Sequence, residues 1–150
     1  MLDKVDVQIL DLLKENARES YAEIGREIGL SASSVRERVQ RLTDTGVITN
    51  FTIQVDQNRL GNPVEAFVLI KLFTSKLKPF IAIVNQFEGV EKSYRVTGNQ
   101  HVLMQVALRN HKHLQDFLDK IMVFGDTTTY LMLSEITDEM EGKGSLLQAE

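Results

Sequence analysis

Residues 20–48 read SYAEIGREIGLSASSVRERVQRLTDTGVI, and this stretch decides the fold of the N-terminal part of the chain. Ser20 and Glu23 form a capping-box pattern, which predicts a helix beginning at Tyr21. Gly29 and Ser31 then supply a left-handed helix end and a new N-cap. The pattern predicts two helices joined by a turn of about three residues, which is a helix-turn-helix.

The second of these helices is predicted over residues 32–44. Val35, Val39 and Leu42 recur about one turn apart and form an apolar stripe along one side. Gly25 on the preceding helix is small enough to let the two backbones approach closely. The stripe is therefore expected to face the preceding helix and to be buried.

The face opposite that stripe carries polar and cationic side chains, at about 100° per residue along the helix. Such side chains contact base edges and phosphates in the major groove of DNA. The candidate base-edge contacts are Ser33, Glu37, Gln40 and Arg41, and the candidate phosphate contacts are Ser34, Arg36 and Arg38. Arg38 falls at the border of the apolar stripe, so we expect it to hold the fold or to clamp a phosphate.

Composition limits the class of protein. The chain has 150 residues, of which 43% are apolar and 25% charged, as in soluble globular proteins of one domain or two small ones. No apolar stretch is long enough to span a membrane and the N-terminus lacks the character of a signal peptide, so a cytoplasmic location is predicted. The absence of cysteine excludes disulfides, thiol catalysis and thiolate metal sites.

The formal net charge of −4 is unusual for a protein that binds a polyanion. The distribution of charge is more informative, because residues 31–43 hold three Arg and one Glu. A locally basic helix on an acidic chain predicts modest affinity for DNA per subunit. We therefore expect a homo-oligomer that presents several copies of this helix.

The segments before and after the helix-turn-helix predict where the N-terminal domain begins and ends. Asp3 is the expected N-cap of a first helix over residues 4–16, which makes the N-terminal domain a unit of three helices. Residues 49–56 alternate strictly between polar and apolar side chains, which predicts a strand, either a wing or a linker strand. Residues 57–63, QNRLGNP, have the composition of a turn between domains.

The second half of the chain alternates between strand and helix patterns. Strands are predicted at residues 64–73, 90–97, 102–108 and 126–136, and helices from near Pro79 to Gly89 and around Leu114 to Ile121. The order βαββαβ predicts a ferredoxin-like domain, so the whole chain is expected to be α+β. One face of its sheet is left without helices and is expected to be buried against a second copy.

The predicted organisation has four parts: a helix-turn-helix domain (1–48), a linker strand and turn (49–63), a ferredoxin-like oligomerisation and ligand-sensing domain (64–138) and a tail (139–150). No pattern in the chain predicts an enzyme. His101, His111 and His113 have no cysteine beside them and do not form metal-ligand spacing, and no phosphate loop or nucleophile elbow is present. No catalytic residue, metal or cofactor is therefore expected.

A helix-turn-helix of this form before a βαββαβ unit resembles the Lrp/AsnC family of transcriptional regulators. The overall pattern is similar to the LrpC-type members. The N-terminal segments that carry the resemblance are Leu2-Asp3 with Asp6, Ile9-Leu10, Asn16-Ala17-Arg18, Ile24-Gly25, Leu30-Ser31, Val35, Arg38-Val39, Leu42 and Gly46-Val47-Ile48. Those of the second half are Val96-Thr97-Gly98 and Leu133-Ser134-Glu135-Ile136.

The resemblance implies dimers that assemble further into tetramers or octamers and bind double-stranded DNA. It also implies that the second domain senses a small molecule, usually an amino acid, near the hairpin at Gly98. The candidate effector contacts are Gly98, Asn99, Gln100, His101 and Ser134.

His101 is a departure from that family pattern. Members that respond to amino acids commonly have an acidic residue three positions after the hairpin glycine, where its charge pairs with the ammonium group of the ligand. A neutral imidazole does not supply that charge, and a protonated one repels an ammonium. The sequence therefore leaves open an amino-acid effector, another ligand or none.

The function predicted from the sequence is a sequence-selective DNA-binding transcriptional regulator that acts as a dimer or higher assembly. Two alternatives stay open. One is an architectural protein that wraps DNA without a ligand, and the other is a small-molecule-binding regulatory module that acts on protein partners.

Overall fold

The three N-terminal helices begin at their predicted caps, and the first of them ends at Glu15, one residue before the predicted end. The computed structural model describes residues 2–136 of the chain. It contains α1 (Lys4–Glu15), α2 (Tyr21–Ile28) and α3 (Ala32–Asp44). Asp3 caps α1 and Ser20 caps α2, each through a complete capping box. The bounds predicted for α3 are confirmed.

The turn between α2 and α3 depends on two glycines. Gly29 has a φ of 74°, in the left-handed region that favours glycine. Gly25 receives a hydrogen bond of 2.8 Å on its carbonyl oxygen from the amide of Leu30. A Cβ atom at Gly25 would fall against the carbonyl oxygen of Leu30, so the backbone that approaches Gly25 closely is that of the turn.

A small apolar core holds the three helices together. Its buried members are Ile9, Leu13, Ile24, Val35 and Val39. Each helix contributes at least one of these side chains, and the apolar stripe of α3 faces inward as predicted. The packing of α3 against α1 and α2 therefore fixes which side of α3 stays exposed.

The second unit is a sheet with helices. Its elements in chain order are β1 (Val64–Leu72), α4 (Leu77–Ile83), β2 (Val90–Arg95), β3 (Val102–Leu108), α5 (His111–Ile121) and β4 (Gly125–Leu131), with a 3₁₀ turn at Val84–Gln86 after α4. The strand order is β2-β3-β1-β4, and all neighbours are antiparallel. The predicted ferredoxin-like α+β architecture is confirmed.

The last strand is shorter than residues 126–136. Leu131 of β4 pairs with Ala66 of β1, and the amide of Met132 still donates to the carbonyl oxygen of Glu65. Strand β1 begins at Val64, which in this register is opposite residue 133, so residues 134–136 have no residue of β1 to pair with. Predicting β4 as far as residue 136 was therefore wrong.

The predicted strand over residues 49–56 was also wrong. This segment has no regular secondary structure, and residues 57–61 form the expected turn. An alternating pattern predicts a strand with one apolar face, but a strand also needs a neighbouring strand for its backbone hydrogen bonds. Residues 49–56 have no such neighbour within residues 2–136. Phe51 and Ile53 are consequently exposed, Ile53 to 78%.

The chain divides into two compact units between Gln54 and Val55, which falls inside the predicted linker of residues 49–63. The predicted tail at residues 139–150 and the end of the predicted second domain lie outside the described residues. No helix in the described range is long and apolar enough to cross a membrane.

The two faces of the sheet have different environments. Side chains of α4 and α5, such as Phe80 and Phe117, pack with Val68 and Ile70 of β1 in the main core. The opposite face exposes Phe67, which pairs directly with Tyr130 of β4. This opposite face also carries Tyr94, Leu103 and Leu69, which lie side by side across β2, β3 and β1. We call this group of five residues the open sheet face.

Candidate nucleic-acid interface

Helix α3 exposes the side that the sequence predicted. Val35, Val39 and Leu42 are buried, and Ser33, Glu37 and Gln40 are exposed on the opposite side. The side-chain amide of Gln40 donates to Asp44 one turn later at 2.8 Å, which holds it along the helix surface. The structure thus brings three of the four candidate base-edge residues onto one exposed face.

Three serine hydroxyls gather at the start of α3. The Oγ atom of Ser31 accepts a hydrogen bond of 3.2 Å from the amide of Ser34 and so caps the helix. The hydroxyls of Ser33 and Ser34 lie 3.0 and 2.9 Å from the same Oγ atom. The first turn of α3 therefore presents hydroxyl donors beside amides that carry the positive end of the helix dipole.

The three arginines of α3 have different environments. Arg36 is exposed and forms no ion pair with any residue in the described range. Arg38 and Arg41 both point toward α1 and contact Asp6. Arg36 is thus the arginine of α3 whose charge is not neutralised within this unit.

Asp6 is the central carboxylate of this contact. It is 1% exposed and is the only buried charged residue among those that the structure describes. Its Oδ1 accepts from Nη1 of Arg38 at 2.8 Å, and Nη2 of Arg41 donates to Oδ1 and Oδ2, both at 2.8 Å. Asp3 completes the group, because its amide donates to Asp6 and its carboxylate accepts from Arg38 at 2.7 Å. We call these four residues the Asp6 cluster.

The ionisation of the Asp6 cluster follows from these contacts. Burial acts to raise the pKa of Asp6, but the hydrogen bonds from the Asp3 amide and Arg38 and the charge of Arg41 lower it overall. The hydrogen bond from Arg38 lowers the pKa of Asp3, and those two carboxylates raise the pKa of Arg38. These pKa shifts of Asp3, Asp6 and Arg38 all favour the charged forms at neutral pH.

Asp6 was not predicted from the sequence as a functional residue. The signal that could have found it is its position, because Asp6 lies on the same helical face as the buried Ile9 and Leu13. A carboxylate at a buried helical position needs a partner. The arginines at the border of the apolar stripe of α3 were the available partners.

The second predicted site is the hairpin between β2 and β3. Gly98 has a φ of 107° and is exposed, as is Asn99. The backbone of His101 forms hydrogen bonds on two sides. Its amide donates to the carbonyl oxygen of Ile70 in β1 at 2.9 Å, and its carbonyl oxygen accepts from the amide of Val96 at 3.1 Å. The hairpin is therefore held against the end of β1.

The imidazole of His101 takes part in the same pairing. Its Nδ1 atom accepts a hydrogen bond of 3.0 Å from the amide of Leu72. In this geometry Nδ1 is the accepting nitrogen of the ring, and Nε2 is not used in the bond. The imidazole of His101 thus extends the pairing at the end of β1.

The neighbouring Gln100 has an unsatisfied acceptor. Its Oε1 atom is enclosed and has no hydrogen-bond partner within the described chain. Ser134 lies elsewhere, beyond Leu131, which pairs with Ala66 near the start of β1, whereas the hairpin packs at the end of β1. Within one chain, the sheet does not bring Ser134 to the hairpin.

The histidines do not form a metal site within the described residues, where no group of three or more potential ligands is found. The Nδ1 atom of His113 accepts from the backbone amide of Arg109 at 3.3 Å, while Asn110 caps α5 through the amide of His113. His113 is thus part of the start of α5.

Comparison with known proteins identifies both units. The family model described as "AsnC-type helix-turn-helix domain" matches residues 2–43, and the one described as "Lrp/AsnC ligand binding domain" matches residues 65–141. The chain belongs to the Lrp/AsnC family of transcriptional regulators. The resemblance inferred from the sequence motifs is confirmed, and this is a family of regulators and not of enzymes.

Individual Lrp/AsnC proteins match nearly the whole chain. The transcriptional regulator LrpC of Bacillus subtilis is 33% identical over 143 residues, which covers 95% of this chain and 99% of LrpC. The solved structure of LrpC superposes with a TM-score of 0.86 at 32% identity and covers 92% of this chain and 99% of that one. A regulator from Neisseria meningitidis, solved as a complex with L-Met, has the same fold, with a TM-score of 0.85 at 23% identity over 91% of this chain and 93% of its own.

Proposed function

We propose that this Lrp/AsnC protein is a sequence-selective regulator that places α3 in the major groove of double-stranded DNA as part of a homo-oligomer. The observation that carries the proposal is the exposed face of α3, on which Ser33, Glu37 and Gln40 lie together while the opposite stripe is buried. Helix-turn-helix proteins contact base edges with such a face. A cytoplasmic location stays a prediction from the sequence.

The roles of the residues follow from their environments. We assign base-edge contacts to Ser33, Glu37 and Gln40, because hydroxyl, carboxylate and amide groups match the donors and acceptors of the major groove. We assign phosphate contacts to Ser34 at the helix start and to Arg36, whose charge has no partner in its unit. Arg38 is assigned to holding the fold, because it bridges two carboxylates of α1.

Replacing Arg36 by alanine should weaken binding to every DNA sequence. The slope of log K against log salt should fall by about 0.9 for each phosphate that the protein no longer neutralises. The measurement is fluorescence anisotropy from low to moderate salt, with a duplex that the wild-type chain selects from a random pool. Lys112→Ala is the control, because Lys112 is an exposed cation on α5 in the other unit and should leave the slope unchanged.

An unchanged slope for Arg36→Ala would remove Arg36 from the interface. The same titrations separate the alternative functions. Equal affinity for the selected duplex and a scrambled one would favour an architectural DNA-wrapping protein. Absence of any DNA binding by the wild-type chain at low salt would favour a regulatory module that acts on protein partners.

The open sheet face supports the proposed oligomer. Phe67 and Tyr130 are neighbours on a sheet surface without helices, and Tyr94 lies on the same surface two strands from Phe67. Large apolar side chains that share an exposed surface are typical of protein–protein contacts. Two copies that bury this face against each other form a symmetric dimer. We propose this dimer, with further assembly into tetramers or octamers, and we include the exposed Phe51 and Ile53 among the surfaces that assembly covers.

Replacing Tyr130 by glutamate should break this dimer. The side chain is 60% exposed in the single chain, so the substitution leaves the core intact but puts a charge into the proposed contact. Light scattering after size exclusion should show a smaller assembly than the wild type. Met122→Glu is the control, since Met122 is also an exposed apolar residue but lies at the end of α5. An unchanged mass for Tyr130→Glu would contradict the proposed interface.

We further propose an amino acid as the effector, bound at the hairpin of Gly98, Asn99, Gln100 and His101. The enclosed Oε1 of Gln100 is an acceptor without a donor, and the ammonium group of an amino acid is a donor. This interaction would stand in for the acidic residue that the resemblance to amino-acid-responsive members implies at the position of His101. Ser134 would join such a site from another subunit, because it lies at the other end of the sheet in its own chain.

One of the twenty amino acids should raise the melting temperature of the full chain, because a ligand that binds only the folded state stabilises it. The same amino acid should give little or no shift with Gln100→Leu, which removes the acceptor. Gln115→Leu is the matched control, since Gln115 is exposed on α5 and should keep the full shift. Absence of a shift with all twenty amino acids would contradict this effector.

A further inference from the structure

The geometry of the Asp6 cluster suggests more than a structural ion pair. Arg38 and Arg41 contact the same carboxylate, but their exposure differs, with 26% of the Arg38 side chain and 55% of the Arg41 side chain exposed. Arg38 bridges Asp3 and Asp6 through a single nitrogen and is largely enclosed. Arg41 touches Asp6 alone and lies nearer to the surface.

The ion pair with Asp6 leaves most of the donors of Arg41 available. A guanidinium has five N–H groups in a rigid plane, and the two on Nη2 point at the two oxygens of Asp6. Its Nε and Nη1 groups make no hydrogen bond to any residue that the structure describes. Because one edge of the plane is fixed, the direction of the three remaining N–H groups is fixed as well.

Arg41 also lies at the edge of the surface proposed to face DNA. On α3 it follows Glu37 by four residues, so it lies one turn from that exposed side chain, on the flank toward α1. Phosphates border the groove that a recognition helix enters, so the flanks of such a helix are where phosphate contacts occur. A guanidinium at this flank is within the region that a phosphate would occupy.

We propose that Asp6 is a positioning residue of the DNA interface, which holds Arg41 by one nitrogen and so presents the remaining N–H groups of Arg41 to a DNA phosphate. The inference rests on the proposed placement of α3 in the groove. It changes the role of Arg41 from a base-edge contact to a phosphate contact. The carboxylate that neutralises Arg41 also lowers the conformational entropy cost of DNA binding, because the side chain is already ordered.

Asp6→Asn is expected to weaken DNA binding even though it removes a negative charge. Removal of a negative charge beside a polyanion should by itself strengthen binding. If Asp6 positions Arg41, the same substitution should weaken binding to the selected duplex by about tenfold, the size of one charged hydrogen bond. Anisotropy titrations of the full-length variant, at a temperature where circular dichroism shows it folded, measure this directly. Equal or tighter binding would overturn the proposal.

A double-mutant cycle shows whether Asp6 acts through Arg41. Arg41→Ala should weaken binding and lower the salt slope by about 0.9 for each phosphate that Arg41 neutralises in the wild type. In the Arg41→Ala background, Asp6→Asn should cause no further decrease in affinity. If Asp6 only stabilised the tilt of α3, its effect would persist in that background, because Arg38 still contacts it.

If Asp6→Asn does not fold, Arg41→Lys tests the proposed role of Asp6. Arg41→Lys keeps the charge but cannot hold both oxygens of Asp6 and reach a phosphate, so its affinity should stay as low as that of Arg41→Ala. An unchanged salt slope for Arg41→Ala would overturn the proposal by itself. Failure of the wild-type chain to bind any DNA would instead contradict the proposed function.

Discussion

The orientation of the recognition helix depends on one buried carboxylate. Asp6 accepts hydrogen bonds from Arg38 and Arg41 of α3 and from the backbone of Asp3, so it ties the start of α1 to the middle of α3. A buried carboxylate without such partners is strongly destabilising, so removing the arginines while Asp6 remains should weaken this unit. The apolar core of this unit is small, and apolar contacts have no preferred direction. The hydrogen bonds of the Asp6 cluster do have preferred angles, so they restrict how α3 is oriented against α1.

The elements that the sequence predicted well are those whose ends are determined by local chemistry. The bounds of α3 follow from Ser31, which caps its start, and the turn before it follows from Gly25 and Gly29. Residues 49–56 show the limit of such prediction, because their alternating pattern is local but a strand needs a neighbour. The role of Arg41 shows the same limit, since its angle on the helix predicts exposure but does not reveal a carboxylate on another helix. Ser134 and the Gly98 hairpin were grouped by resemblance, and the sheet register separates them within one chain.

The low positive charge of one recognition surface is the reason that the proposed function needs both units of the protein. Arg38 and Arg41 each have a carboxylate partner in the Asp6 cluster, so Arg36 is the arginine of α3 without a partner among the described residues. With a net charge of −4 for the chain, one such surface should bind DNA weakly. Several copies joined through the open sheet face would raise the effective concentration of each recognition helix near the next half-site. An effector at the Gly98 hairpin, held at the end of β1 by His101, would act on the unit that controls assembly and would need no contact with DNA.

In the proposed complex with DNA, α3 enters the major groove while Asp6 holds Arg41. The most direct measurement is a crystal structure of the full chain bound to a duplex that it selects from a random pool. In that structure, Nη2 of Arg41 should stay within hydrogen-bond distance of Asp6 while its other nitrogens contact a phosphate, and Ser33, Glu37 and Gln40 should face base edges. A structure in which Arg41 leaves Asp6 to contact a base, or in which another surface of the chain faces the groove, would contradict the proposed complex.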